Sequence, residues 1–197
     1  GEPLLRPDFV AVYEHARMSG LLVSVFTNGT LINDRVLGAF VDMPPQVVEV
    51  TVYGATAPTY ERITGVPGSF ERCLRGIRRL SERGVKVNLK TVLMTLNLHE
   101  FASLKELASS MGLGFRSDAA IFPRLNGDRA PLALRVAPEL VVQTDMADEK
   151  TRSEWREYLE KRPRMPASES LYTCGAGLTN FHIDPYGRLH PCVMSRN

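Results

Sequence analysis

The chain has 197 residues, of which 44% are apolar and 23% charged, the balance of a soluble globular protein able to bury a core. Its 24 basic and 22 acidic residues leave a net charge of +2, which excludes a strongly polyanionic partner: no nucleic acid and no membrane surface is expected. There is no apolar run of the ~18 residues a membrane span needs.

Taken in order, residues from Pro7 to Ser19 read as a helix with Phe9, Val12, Tyr13 and Ala16 on one face and Gly20 closing it. Leu21 to Phe26 is a nearly continuous apolar run, the pattern of a parallel strand buried on both faces. A helix from Thr30 to Val41 ends at Met43-Pro44-Pro45, followed by a strand over Val47 to Tyr53. A helix from Gly68 to Arg83, a strand from Val85 to Leu93, a helix from Asn97 to Met111 and a strand from Leu113 to Ser117 continue the alternation. Helix–strand repetition with short connections implies right-handed crossovers and a parallel sheet covered by helices. An α/β fold follows, with an open doubly wound sheet and a curved partial barrel both compatible.

Beyond a loop from Pro123 to Pro138, residues Glu139 to Arg162 read as one long charged helix or two shorter ones broken near Thr151. Trp155 is expected to cover part of the core. Pro163 to Ser168 reads as a linker. From Phe181 to His190 apolar and polar residues alternate around the turn Asp184-Pro185-Tyr186-Gly187, which predicts a hairpin.

Two strands carry polar faces. Val48, Val50 and Val52 share one side of theirs, and Glu49, Thr51 and Tyr53 share the other with Val47. Lys86, Asn88 and Lys90 oppose Val85, Val87, Leu89 and Leu93. The mixed face of the first strand is expected to look inward, while the polar face of the second borders solvent or lines a lumen, and Arg116 and Asp118 could join the same rim. Thr51 and Tyr53 stand at a C-terminal strand end, where α/β proteins place ligands. Arg72, Arg75 and Arg79 form what reads as a solvated helix face.

The three cysteines argue against a disulfide framework and for a reducing compartment, so a cytoplasmic location is expected. Cys73 lies on an apolar stripe and reads as a buried thiol. Cys174 and Cys192 flank the hairpin and suit a metal or cluster site. His182 and His190 lie in the same segment, so a zinc site of two cysteines and two histidines is a competing reading. The chain begins and ends within motifs, and a fragment is expected.

The series Gly1-Glu2-Pro3-Leu4, Phe26-Thr27-Asn28-Gly29-Thr30-Leu31-Ile32, Val50-Thr51-Val52-Tyr53-Gly54, Thr59 to Gly65 and Gly68-Ser69-Phe70 resembles, in order, the motifs of radical S-adenosylmethionine (SAM) enzymes. The spacing Cys174-x12-Gly187-x4-Cys192 resembles the opening of the SPASM extension, which holds auxiliary iron–sulfur clusters. The resemblance implies a partial (βα)6 barrel over residues 1–166, truncated at its N-terminus, and the start of a SPASM extension over 167–197. Implied cofactors are SAM, a core [4Fe–4S] cluster and one or more auxiliary [4Fe–4S] clusters.

Under the same resemblance, Gly1, Glu2 and Pro3 would meet the SAM amino group, Thr51 would contact the cofactor, and Arg62 would bind the SAM carboxylate. Cys174 and Cys192 would be cluster ligands. The three-cysteine motif for the core cluster precedes Gly-Glu-Pro in the family and is not in this sequence, so the chain alone is expected to be inactive. The implied activity of the full protein is reductive cleavage of SAM to a 5′-deoxyadenosyl radical that abstracts hydrogen from a peptide, protein or small-molecule substrate. An electron donor such as a flavodoxin or ferredoxin is implied. The alternative is a zinc-stabilised α/β binding domain without catalysis.

Overall fold

A computed structural model describes residues 1–161 and 174–194. The expected linker and the boundary between residues 166 and 167 lie outside the described residues. The chain divides into two units, the first being Gly1–Ile121 with Leu134–Val136 and the second taking residues 122–133 and those from 137 onward.

In the first unit the order is α1 (Phe9–Met18), β1 (Ser24–Thr27), α2 (Asp34–Asp42), β2 (Val47–Thr51), α3 (Ala57–Thr64), α4 (Ser69–Glu82), β3 (Val87–Val92), α5 (Phe101–Ser110) and β4 (Gly114–Asp118). The four strands pair in parallel in the order β1-β2-β3-β4. A doubly wound sheet reverses its strand order at a switch point, whereas sequential order with every helix on one side is an arc of a βα barrel.

Periodicity explains the single core. Along α4, Phe70, Cys73, Leu74, Ile77 and Leu80 fall at helical spacing and are buried against Val48, Val50, Val87 and Leu89. Two glycines set how close α4 can come. A Cβ on Gly76 would stand 2.0 Å from the Gly29 carbonyl oxygen, and Gly29 itself takes φ +74°.

Several boundaries and faces differ from expectation. β1 begins at Ser24 and alternates exposed and buried residues, with Leu21 and Leu22 exposed and Phe26 47% exposed. Its apolar run does not mark burial on both faces, because the helices cover one face only. In α1, Val10 and Tyr13 are buried while Val12 is exposed. α2 starts at Asp34 because the Asn33 side chain caps it, accepting from the Val36 amide at 3.0 Å. The helix α3 goes unanticipated by periodicity, having only Thr59 and Tyr60 buried. Arg79 is no solvated arginine: its guanidinium bonds the Ile32 carbonyl and pairs with Asp34, bracing the start of α2.

In the second unit, α6 (Pro138–Ala147) and α7 (Glu149–Lys161) break at Asp148 rather than Thr151. The Asp148 carboxylate explains the break, accepting from the Thr151 amide at 2.8 Å and its hydroxyl at 2.7 Å to start α7. Trp155 is 43% exposed and does not cover a core; it packs edge-on to Tyr158 and donates to Asp145 at 3.2 Å, joining α7 to α6. The hairpin pairs β5 (His182–Ile183) with β6 (Leu189–His190). Its turn is closed by Asp184 Oδ1, which accepts from the Tyr186 and Arg188 amides at 2.9 Å, and Gly187 supplies φ +83°.

Candidate active site

Three polar side chains brace the C-terminal ends of β1, β2 and β3. Glu2 is the first. Its Oε1 accepts from the Leu4 amide at 3.1 Å and the Thr27 hydroxyl at 2.7 Å, and its Oε2 from the Asn28 amide at 2.6 Å. A carboxylate has about four acceptor positions, so one remains, on Oε2. The segment Gly1–Pro3 is thereby pinned to the end of β1. Asn28 in turn accepts from the Thr30 amide at 2.9 Å and hydroxyl at 2.7 Å, which shapes the turn before α2.

Asn97 is the second. It is fully buried; its amide nitrogen donates to the Tyr53 and Val92 carbonyls at 3.0 Å, and its oxygen accepts from the Met94 amide at 2.9 Å. It joins the chain leaving β2 to the chain leaving β3.

Glu100 is the third. It accepts from the Ala55 amide at 2.7 Å and from the Thr56 and Thr59 hydroxyls at 2.6 Å, capping α3 from another loop. Burial works against its charge, but the Thr56 and Thr59 hydroxyls and the Ala55 and Thr56 amides outweigh it and hold the carboxyl below its ordinary range. Neither Asn97 nor Glu100 stands out in the sequence, since a lone polar residue in a loop carries no periodic or spacing signal.

The face of the sheet opposite the helices is polar. The register aligns Phe26 with Glu49 and Asn88, and Thr51 with Lys90 and Arg116. Glu49, only 8% exposed, receives Arg116 Nε at 2.7 Å. Thr51 is half-buried at the end of β2. Arg62 is exposed on the last turn of α3. Glu2 and Thr51 thus mark the ends of neighbouring strands, while Arg62 stands on the helix that follows.

The thiols behave differently from one another. Cys73 is buried in the core, its pKa pushed up to about 11, by burial above all. Cys174 is exposed, and Cys192 is half-buried with the Met194 amide 3.4 Å from its sulfur. Among the described residues no group of three or more histidine, cysteine or acidic side chains converges as a metal centre. The two-histidine zinc arrangement is therefore not assembled: His190 Nε2 lies 3.3 Å from Asp184 Oδ2, and the His182 and His190 rings are 6.0 Å apart.

Comparison with known proteins agrees with the fold. Residues 1–108 match the radical SAM superfamily, and the chain belongs to that family. An AdoMet-dependent heme synthase of Methanosarcina barkeri is 35% identical over 112 residues, covering 57% of this chain and 32% of the relative. The mycofactocin maturase MftC of Mycobacterium tuberculosis is 26% identical over 203 residues, covering 99% of this chain and 51% of the relative. Streptococcus suis SuiB bound to its precursor peptide SuiA superposes with a TM-score of 0.70 at 15% identity, over 98% of this chain and 47% of SuiB, which shows the shared fold. The chain thus spans between a third and a half of the length of these curated relatives.

Enzymes of this family use SAM and a [4Fe–4S] cluster. The residues here fit the two groups unequally. The pinned Gly1–Pro3 segment, with one acceptor position left on Glu2 and Thr51 on the neighbouring strand, suits a cationic amino acid moiety such as that of SAM. The core cluster does not fit the described residues, because the one thiol of the first unit is buried and protonated.

Proposed function

We propose that this chain forms the SAM-binding arc and the first part of the auxiliary-cluster extension of a cytoplasmic radical SAM enzyme that modifies a peptide or protein. The observation that carries the reading is the MftC match, which runs over 99% of the chain and so includes the cysteine hairpin, whereas the heme synthase match covers 57%. If bound, SAM would supply the radical chemistry of the family, with the core cluster held by groups other than the described residues. A flavodoxin or ferredoxin is the class of donor suited to reducing that cluster.

In this reading residues 1–166 belong to the barrel and 167–197 open the extension. The backbone of Gly1, Glu2 and Pro3 accepts from the SAM ammonium, Thr51 donates to the cofactor, and Arg62 reaches its carboxylate. Cys174 and Cys192 contribute thiolates to an auxiliary cluster. The remaining work of the chain is to hold these groups still and keep water from the reacting atoms.

Calorimetry on the full-length protein tests the SAM assignments. Arg62→Ala is expected to weaken SAM binding by about tenfold, the equivalent of one charge-assisted hydrogen bond, and Thr51→Val by less. Unchanged affinity removes the residue concerned from the site. The substrate class is tested with iron coproporphyrin III, because one relative is an Fe-coproporphyrin III synthase. Its Soret band should not move on titration with the protein; a saturable shift would overturn the peptide reading.

A further inference from the structure

Each of the four strands places one side chain of a contiguous cluster on the face opposite the helices: Phe26, Glu49, Lys90 and Arg116. Lys90 and Arg116 share the rung of Thr51, and Phe26 and Glu49 occupy the rung before it. The two cations are matched differently. Arg116 directs both Nε and Nη2 at a single oxygen, Glu49 Oε2, so its charge is met within the sheet. Lys90 instead holds its ammonium 4.3 Å from the centre of the Phe26 ring and forms no ion pair among the described residues. The Arg116 guanidinium lies 5.8 Å from the same ring. Asp118, also on this face, turns one oxygen to the Ala120 amide at 2.8 Å.

This leaves an ammonium that has shed part of its hydration with Glu49 and Asp118 near enough to act on it but without a direct ion pair. A cation–π contact returns less than a desolvated charge gains from a carboxylate. Burial and the neighbouring Arg116 push the Lys90 pKa below its ordinary value, outweighing Glu49 and Asp118. The Phe26 ring beneath fixes where the ammonium stands and, at 47% exposure, leaves room for a ligand beside it. Arg116 is already paired with Glu49, so Lys90 is the cation of the cluster without a direct ion pair, and a single ammonium matches one carboxylate better than a phosphate dianion.

We propose that Lys90 is a specificity residue that takes a carboxylate of the substrate, an acidic side chain or a chain terminus, with Phe26 positioning its ammonium and the Arg116–Glu49 pair fixing the adjacent rung. The proposal rests on the radical SAM reading for this face to be the one on which substrate lies. SAM carries the same chemistry in its own carboxylate, and the two sources separate by experiment.

The full-length protein, labelled with 13C at lysine Cε, is titrated with glutarate and with its uncharged counterpart glutaramide while the Lys90 resonance is followed. Glutarate is expected to shift that resonance saturably, glutaramide to leave it still, and prior saturation with SAM to leave the glutarate titration in place. Lys90→Met keeps the stem over Phe26 and should weaken glutarate binding by about tenfold, whereas Lys90→Arg should restore it to within about threefold. Absence of a saturable shift, or equal glutarate affinity in Lys90→Met, overturns the proposal. So does a SAM titration that saturates the Lys90 shift and blocks glutarate, which would give the site to SAM. Failure of the radical SAM reading is a separate result, seen as absence of SAM binding or cleavage whatever glutarate does.

Discussion

The Glu2 carboxylate accepts a 2.6 Å hydrogen bond from the backbone amide of Asn28, twenty-six residues along the chain. With the Thr27 hydroxyl on its other oxygen, this contact sets the Gly1–Pro3 segment against the end of β1. Glu2 is therefore a latch first, with one acceptor position remaining on its carboxylate.

Glu2→Gln separates these roles. The amide group would turn a donor toward the Asn28 amide or the Leu4 amide, leaving a donor facing a donor. Stability should fall by about 1–3 kcal/mol, read as a lower urea midpoint with unchanged slope. A variant as stable as the parent would show that the latch does not hold the segment.

Asn97→Ala should cost more. The substitution leaves the Tyr53 and Val92 carbonyls and the Met94 amide without their partner in a fully buried position. A loss upwards of about 3 kcal/mol is expected, seen as a large drop in thermal midpoint. A loss within about 1 kcal/mol would mean that water replaces the side chain there.

Glu100 supplies a pH dependence with a defined sign. Its carboxyl titrates lower in the folded protein than its ordinary 4.5, so its contribution is fully present above that value. It is lost as pH falls below 4.5 and through the folded-state pKa. Denaturation midpoints measured on the acid side should fall more steeply in the parent than in Glu100→Gln, which has no carboxyl to protonate. Parallel slopes would remove Glu100 as the source.

Gly76→Ala tests how α4 sits. The new methyl would meet the Gly29 carbonyl oxygen at 2.0 Å, a backbone atom that cannot rotate away. Overpacking of this kind costs about 1–3 kcal/mol, and it should also disturb the Asn28–Gly29 turn that Glu2 grips. Gly38→Ala, with nothing within 4 Å of the added methyl, serves as the control.

How legible these features are in the sequence depends on what kind of signal each leaves. β2 and β3 are readable because Val48, Val50 and Val52 alternate with Glu49 and Thr51, and Val87 and Leu89 with Asn88 and Lys90, so the strand period itself separates the faces. β1 misleads because Leu21, Leu22 and Phe26 are apolar yet exposed, and an apolar run cannot say how many of its faces are covered. The helix α3 escapes because it is short and starts from Thr56, whose capping partner Glu100 lies forty-four residues away. Asn97 is illegible for the same reason: its partners are backbone groups brought near by the fold. Cys73 is read correctly as a core thiol from its place on a helical stripe. The motif series carries the family, and the polar face of β2 and β3 points to the candidate site, but the pairing of Arg116 with Glu49 and the lack of a direct ion pair at Lys90 need coordinates.

The most direct measurement of the central claim is anaerobic analysis of the full-length protein for iron, acid-labile sulfide and zinc, combined with an assay for 5′-deoxyadenosine after reduction in the presence of SAM. The account predicts iron and sulfide in near-equal amounts, in excess of one [4Fe–4S] cluster per chain, and 5′-deoxyadenosine formed only with reductant. One zinc per chain, with neither iron nor sulfide and no 5′-deoxyadenosine, would contradict it.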